Sequence, residues 1–329
     1  MSASPPITRD TEVWYHDGNV VLVAEDVAFR VHRSILEASK SAVFRTLFEV
    51  PQPLPAAADH LDGCPVVHVS DCAYDMREFL AVLYSGPRAF APSATYTLPK
   101  LLAVARLSHK YELEDVLAAA TARLAAGEFP LSFATWDAHQ SAAGSDADAV
   151  RLAQAIPAVN LFRRIGRHDL LPAAYYHCYR LPARALLEGR RCPESGVLER
   201  FTSAEALAEC IAIRDTFFQN QGWMFRGFAE IEMEGGGGHQ EDCERLWGDF
   251  HDAQRNFSSA CWSVDSGFGL LASRREEFAP FERCEQCYSR LTERWDALRQ
   301  DMWTWLPVIC GLPHIEGWDT TSDDGDLSE

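Results

Sequence analysis

The stretch Asp17-Gly18-Asn19-Val20-Val21-Leu22-Val23-Ala24-Glu25-Asp26-Val27-Ala28-Phe29-Arg30-Val31-His32-Arg33-Ser34-Ile35-Leu36 decides the fold. Asp17-Gly18-Asn19 is turn chemistry, because glycine and short polar side chains tolerate a tightly bent backbone. Val20 to Ala24 is a continuous apolar run of strand length. Glu25-Asp26 is polar and the size of a hairpin turn. Val27, Phe29 and Val31 then alternate with Ala28 and Arg30, the period-two pattern of a half-buried strand. Two strands and a tight turn make a hairpin, and the pattern turns helical from His32.

Downstream the period changes. Val43, Phe44, Leu47 and Phe48 fall on one helical face, and the prolines of residues 51–55 stop that helix. Residues 56–63 read as a surface loop, and Val66-Val67-His68-Val69 as a short strand. Ser70 or Asp71 is placed to cap the next helix by accepting its orphan amide hydrogens. Met76, Phe79, Leu80 and Leu83 then recur at helical spacing, and Ser85-Gly86-Pro87 ends the element. Leu98, Leu101, Leu102 and Ala105 repeat the spacing, as do Leu113, Val116, Leu117 and Leu124. Upstream, Pro5, Pro6 and the β-branched Ile7, Thr8, Thr11 and Val13 make a poor helix, so residues 1–16 are expected to be a loose arm. Val21, Phe29, Val31, Phe44, Phe79, Leu83, Leu101 and Leu117 are expected to share one core.

In order and spacing, Asp17 to Val23, Phe29 to Leu36 and Ser39-x-Ser41-x-x-Phe44 resemble the core of a BTB/POZ domain. Phe79-x-x-x-Leu83-Tyr84-Ser85-Gly86 resembles that family's third-helix ending, and Leu101 to Tyr111 with Leu113 its closing helical hairpin. The likeness covers about residues 12–128. It implies an α+β fold class: an N-terminal BTB/POZ domain, a small sheet with surrounding helices, followed by a mostly α-helical C-terminal region. It also implies a non-enzymatic protein–protein interaction module that either dimerises or recruits a cullin-type ubiquitin-ligase scaffold. A cullin would meet the third helix and the loop after it, here Tyr84 to Tyr96, making Tyr84, Phe90 and Tyr96 the candidate protein-binding residues. The segment before Asp17 lacks the helix that dimerising members carry. Ser85 to Tyr96 lacks the hydrophobic-x-Glu motif of many cullin binders. His32 is expected to be a buried, hydrogen-bonded structural residue, and Asp17 to bond backbone amides near the start of the sheet.

Residues 129–318 read as a helical region. Ile156 to Leu181 carries apolar residues at helical spacing, broken around Pro172. The glycine run at residues 235–238 reads as a flexible loop. Phe281, Cys284, Tyr288, Leu291, Trp295 and Leu298 form a long buried helix face, expected to end at Pro307. Leu170-Leu171-Pro172-x-x-Tyr175-Tyr176, Cys284-x-x-Cys287 and Trp303-Thr304-Trp305-Leu306-Pro307 resemble the C-terminal parts of fungal BTB proteins of the mushroom-type, basidiomycete family. The acidic stretch 319–329 is expected to be a disordered, solvated tail.

Composition narrows the function classes. The 329 residues are 47% hydrophobic and 24% charged, a folded chain long enough for two domains. A net charge of −18 and no basic patch argue against nucleic acid. No apolar run is long enough for a membrane span, and Met-Ser-Ala-Ser-Pro-Pro has neither the basic start nor the apolar core of a signal peptide. Ten spread cysteines without disulfide-scaffold density fit a reducing compartment, so an intracellular location, cytoplasm or nucleus, is expected. The partners expected are proteins, a cullin scaffold or a second copy of the chain in a homo-oligomer, with no membrane and no cofactor.

Candidate chemistry is sparse. Cys284-Glu-Gln-Cys287 has zinc-ligand spacing, and His239, Cys243 or Cys261 could complete a tetrahedral site. The pair lies in a strong helical pattern with no second CxxC, so structural cysteines without metal are expected. Gly267-x-Gly269-x-x-Ala272 matches a degenerate nucleotide fingerprint but lacks the strand–helix alternation it needs. No nucleophile elbow, phosphate loop or HExxH motif is present. The rival readings are a BTB-dependent transcriptional or chromatin regulator, and an enzyme or metal protein using Cys284 and Cys287.

Overall fold

The computed structural model describes residues 6–49, 60–91, 94–142, 145–229, 242–260, 271 and 275–319. The prolines of 51–55, the glycine run at 235–238, His239, Cys261, the Gly267–Gly269 glycines with Ala272, and residues 320–329 lie outside the described residues. Two compact units form, one of residues 1–124 with 191–199, the other of residues 125–190 with 200–329.

In the first unit the hairpin is present as read: β2 (Val20–Ala24) pairs antiparallel with β3 (Val27–Val31), from Val20 opposite Val31 to Ala24 opposite Val27. It lies inside a five-stranded sheet of order β1-β3-β2-β5-β4, where β1 is Thr8–Trp14, β4 His60–Leu61 and β5 Cys64–Val69. Gly18 is required beside it, because a Cβ there would meet the Val31 carbonyl oxygen at 2.9 Å. All five residues of β2 are buried, which explains its unbroken apolar run. Alternation then splits the expected core in two. Val20, Leu22, Ala24, Phe29, Val31, Phe44 and Phe79 pack together, whereas Val21 and Val23 join Ala28 and Cys64 in a separate cluster. Leu83 is only partly buried against the first cluster and Leu117 is half-buried.

Three local expectations are corrected. Residues 8–14 form a strand, β1 (Thr8–Trp14), parallel to β3. The β-branched residues that spoil a helix favour a strand. Asp10 anchors it: one carboxylate oxygen accepts from the amides of Glu12 and Val13 (2.9 and 2.8 Å), the other from Arg77 (2.6 Å). Within the expected loop 56–63, β4 (His60–Leu61) pairs with β5 (Cys64–Val69) through Asp62-Gly63, whose φ values of 52° and 77° suit a hairpin Asp-Gly turn. The N-cap of α3 (Ala73–Ser85) is Cys72, not Ser70 or Asp71. Its sulfur accepts from the Asp75 amide at 3.4 Å, and Glu25 accepts from that of Ala73 at 3.0 Å. Asp71 instead accepts from Tyr111 Oη (2.7 Å) and Lys110 (2.6 Å).

The remaining helices of this unit are α1 (Arg33–Ala38), α2 (Ala42–Glu49), α4 (Leu98–Lys110) and α5 (Glu114–Ala126). Ser41 caps α2, its hydroxyl accepting from the Phe44 amide at 3.0 Å. The segment 191–199 also belongs to this unit. Its Glu199 carboxylate lies 3.0 Å from Arg106, which also pairs with Asp75 at 2.9 Å.

The second unit is helical: α6 (Phe133–Ala142), α7 (Ser145–Ile165), α8 (Leu171–Tyr179), α9 (Ala183–Glu188), α10 (Ala204–Ala229), α11 (Cys243–Ala260) and α12 (Glu285–Ile309). Every residue of α8 is buried. Pro172 starts α8 instead of only interrupting a pattern, since the first turn needs no proline N–H. The face Leu291, Trp295 and Leu298 of α12 is buried as read, but the helix runs through Pro307 to Ile309. Asp319 is held, not part of a solvated tail, because its carboxylate accepts from the Phe133 amide at 2.6 Å. No described helix is long and apolar enough to cross a membrane.

A buried histidine and a partly buried glutamate make this unit acid-sensitive. His177 is fully buried, its ring nitrogens without hydrogen-bond partners among the described residues, and packs against Phe129 and Trp136. Burial, then the charges of Arg180 and Arg151, lower it to about 3. Burial pushes Glu128 up, but His139 and Arg151, at 3.1 and 2.7 Å, outweigh it and hold the carboxyl at about 2. Both folded values lie below those of the unfolded chain, so acid protonates the unfolded state first. Stability is therefore expected to fall from about pH 6.5, the ordinary histidine value, downward, with Glu128 adding its loss below about pH 4.5. His177→Phe should flatten the melting temperature between pH 6.5 and 5. An unchanged slope in that variant would show that His177 is not the buried neutral group responsible.

Candidate functional site

The end of α3 and the segment after it carry the three residues singled out from sequence. Tyr84 sits in the last turn of α3. Its hydroxyl oxygen accepts from the backbone N–H of His32 at 2.7 Å and lies 2.9 Å from His32 Nδ1. The direction of the Nδ1 contact follows the His32 tautomer, and the other ring nitrogen, Nε2, lies 3.3 Å from Asp17 Oδ1. The Tyr15 ring stacks on Tyr84 at 4.1 Å and 8°. His32 thus ties the start of α1 to the end of α3, the structural role expected of it, though it is half-buried instead of fully enclosed. Asp17 meets His32, not the neighbouring amides of the sheet. Its own backbone hydrogen bond, then His32, lower its carboxyl.

Gly86, at φ 57°, turns the chain out of α3. Phe90 and Tyr96 then stack on each other at 5.5 Å and 23°, both half-buried. The Tyr96 hydroxyl donates to the Ala89 carbonyl, and Lys100 lies 5.3 Å from the Tyr96 ring centre. Arg123, from α5, donates to the carbonyls of Ala94 (2.6 Å) and Ala91 (3.2 Å). The loop is therefore held at both sides of residues 92–93, and it presents a stacked aromatic pair with part of each ring accessible. Tyr84, Phe90 and Tyr96 are all half-buried, and Tyr84 and Tyr96 both spend their hydroxyls inside the domain, so what this segment offers a partner is ring surface.

A five-stranded sheet built round a two-strand hairpin, with two α-helices before β5 and three after it, occupies residues 8–126. Residues 15–126 match the BTB/POZ domain family. The first unit contains a BTB/POZ domain. Among curated proteins none matches the chain. The BTB/POZ domain is a protein–protein interaction module, and the helical region follows it as the sequence implied.

The cysteine pair lies away from a mid-helix position. Cys284 is the N-cap of α12 and Cys287 lies in its first turn. Burial pushes the Cys287 thiol up to about 11, far from the depressed range of nucleophilic cysteines. Cys243, at the first position of α11, brings a third thiol to the pair. The sequence named Cys243 only as one of three possible companions. Trp305 was read only as part of a family-like ending. It is 55% exposed on α12, with Val308 (48%) three residues on.

Proposed function

We propose that this chain is a non-enzymatic, intracellular protein-interaction protein whose BTB/POZ domain binds a cullin-type ubiquitin-ligase scaffold through the segment Tyr84 to Tyr96. The helical region is then left to hold a substrate. The observation that carries this is the Phe90–Tyr96 pair: large, part-accessible aromatics on a loop already braced by Arg123. Aromatic anchors dominate interface energetics, and a braced loop has less freedom to lose on binding. The C-terminal likeness supports placing the chain among mushroom-type fungal BTB proteins. The edge strand β1 offers a surface for pairing with a second copy.

Without the hydrophobic-x-Glu motif, binding is expected to be weaker than that of adaptors carrying it. The full-length chain is mixed with a cullin N-terminal domain and the heat of binding measured. A dissociation constant between about 1 and 100 μM is expected, weakened about tenfold or more by Phe90→Ala, as for an interface residue worth over 1 kcal/mol. Absence of binding at about 100 μM, where about −5.5 kcal/mol would suffice, would remove the cullin from the reading and leave an interaction module for other proteins.

A further inference from the structure

The three thiols of Cys243, Cys284 and Cys287 come from two helices far apart in sequence, yet their sulfurs all lie within 4.8 Å of one another, and all three residues are buried. Cys243 and Cys287 sulfurs stand 3.8 Å apart. That is too far for a disulfide, whose sulfurs are about 2.0 Å apart. It matches two thiolates sharing one tetrahedral ion, since sulfurs each about 2.3 Å from zinc stand about 3.8 Å from each other. Cys284 and Cys287 have the two-residue spacing of a zinc chelate.

Burial keeps the proton on the Cys287 thiol, and two features work against it in favour of negative sulfur once an ion is held. Cys243 opens α11 and the other two open α12, so two helix N-termini point their partial positive charge at the cluster. Trp247, one turn along α11, donates its indole N–H to Cys287 Sγ at 3.3 Å. Such a donor orients a ligating sulfur and spreads its charge. Trp247 also packs on Phe281 (5.4 Å), so the sulfurs are walled by aromatics.

We propose that Cys243, Cys284 and Cys287 bind a zinc ion that fastens the start of α11 to the start of α12. Three thiolates are a soft donor set, which selects zinc over magnesium or calcium. Among the described residues no fourth Cys, His, Asp or Glu joins the group, and His239 and Cys261, the other companions named from the sequence, lie outside those residues. Each thiol loses its proton to solvent as the ion binds, with no change of oxidation state. This departs from the sequence expectation of structural cysteines without metal.

The test uses the full-length chain purified with a non-chelating reductant. Elemental analysis is expected to find one zinc per chain. After stripping, Co2+ should refill the site and give the intense near-ultraviolet absorption of cobalt–thiolate bonds, displaced by Zn2+. Trp247→Phe keeps the aromatic wall and loses the N–H, and should weaken Zn2+ binding by about 10–100-fold. Cys243→Ser should abolish the cobalt band, while Cys72→Ser, in the other unit, keeps it. The proposal is overturned if the wild-type chain, its thiols reduced, gives no cobalt–thiolate band. Zinc retained at full strength in both Cys243→Ser and Cys287→Ser, or a Cys243–Cys287 disulfide surviving the reductant, overturns it equally. The wild-type cobalt spectrum decides even if a serine variant fails to fold.

Discussion

Phe79→Ala is expected to destabilise the BTB/POZ unit by about 3–5 kcal/mol, the range for truncating a buried phenylalanine. The ring has no exposed surface and lies beside two others, Tyr111 at 5.6 Å and Phe44 at 6.3 Å. Phe44 and Tyr111 stack directly at 4.4 Å, so the deletion opens a cavity beside a rigid pair that cannot readily fill it. Tyr111 is further fixed by donating to Asp71 at 2.7 Å. The helices α2, α3 and α4 would all lose a shared contact. Because the chain has two units, the loss is best read from hydrogen exchange of the β2 and β3 amides, not from one global midpoint. Phe79→Leu, which preserves more volume, should cost visibly less. Unchanged protection of β2 and β3 in Phe79→Ala would show that this ring does not organise the core.

How much of this was legible follows from how local each signal is. The β2–β3 hairpin could be read because its pairing is between neighbours and its apolar pattern is complete. β1 could not, because only Asp10 and Val13 of its seven residues are buried. Its partner β3 runs parallel to it beyond an intervening strand, and Arg77, the partner of Asp10, is 67 residues away. Which face of α5 is buried, Ala120 and Leu124 fully and Leu117 only in part, is set by packing that a periodic pattern cannot orient. At the surface, Tyr84, Phe90 and Tyr96 were singled out by position in the family pattern alone. Nothing local showed that the Tyr84 hydroxyl is used by His32, 52 residues earlier. The thiol cluster follows the same rule: two ligands were visible as a spacing, whereas the third is brought in by helix packing across 44 residues.

The helical unit should prove most sensitive at Arg299, whose side chain has no exposed surface. Its guanidinium donates from Nε to the Leu271 carbonyl at 3.0 Å, from Nη1 to Asp296 at 2.9 Å and from Nη2 to Asp137, and it lies 5.1 Å from the Phe133 ring centre. Arg299→Ala is expected to cost about 3–5 kcal/mol, because removing one member of a buried ion pair deprives the others of the charge that offset their desolvation. Asp137 and Asp296 remain 29% and 31% exposed, so part of that penalty is relieved by water. The stem and the Leu271 carbonyl have no such relief. Arg299→Met, which keeps the stem's packing and loses the charge, should therefore recover a measurable part of the loss, and Asp137→Asn added to it should recover more. A thermal melt of the three variants separates the contributions. If Arg299→Ala melts with the wild-type chain, the cation is not holding α6 and α12 together. If Arg299→Met is as damaging as Arg299→Ala, charge and not packing carries the cost. High salt should reduce the Arg299→Ala loss only in part, since the guanidinium is closed off from solvent while the two carboxylates are partly exposed.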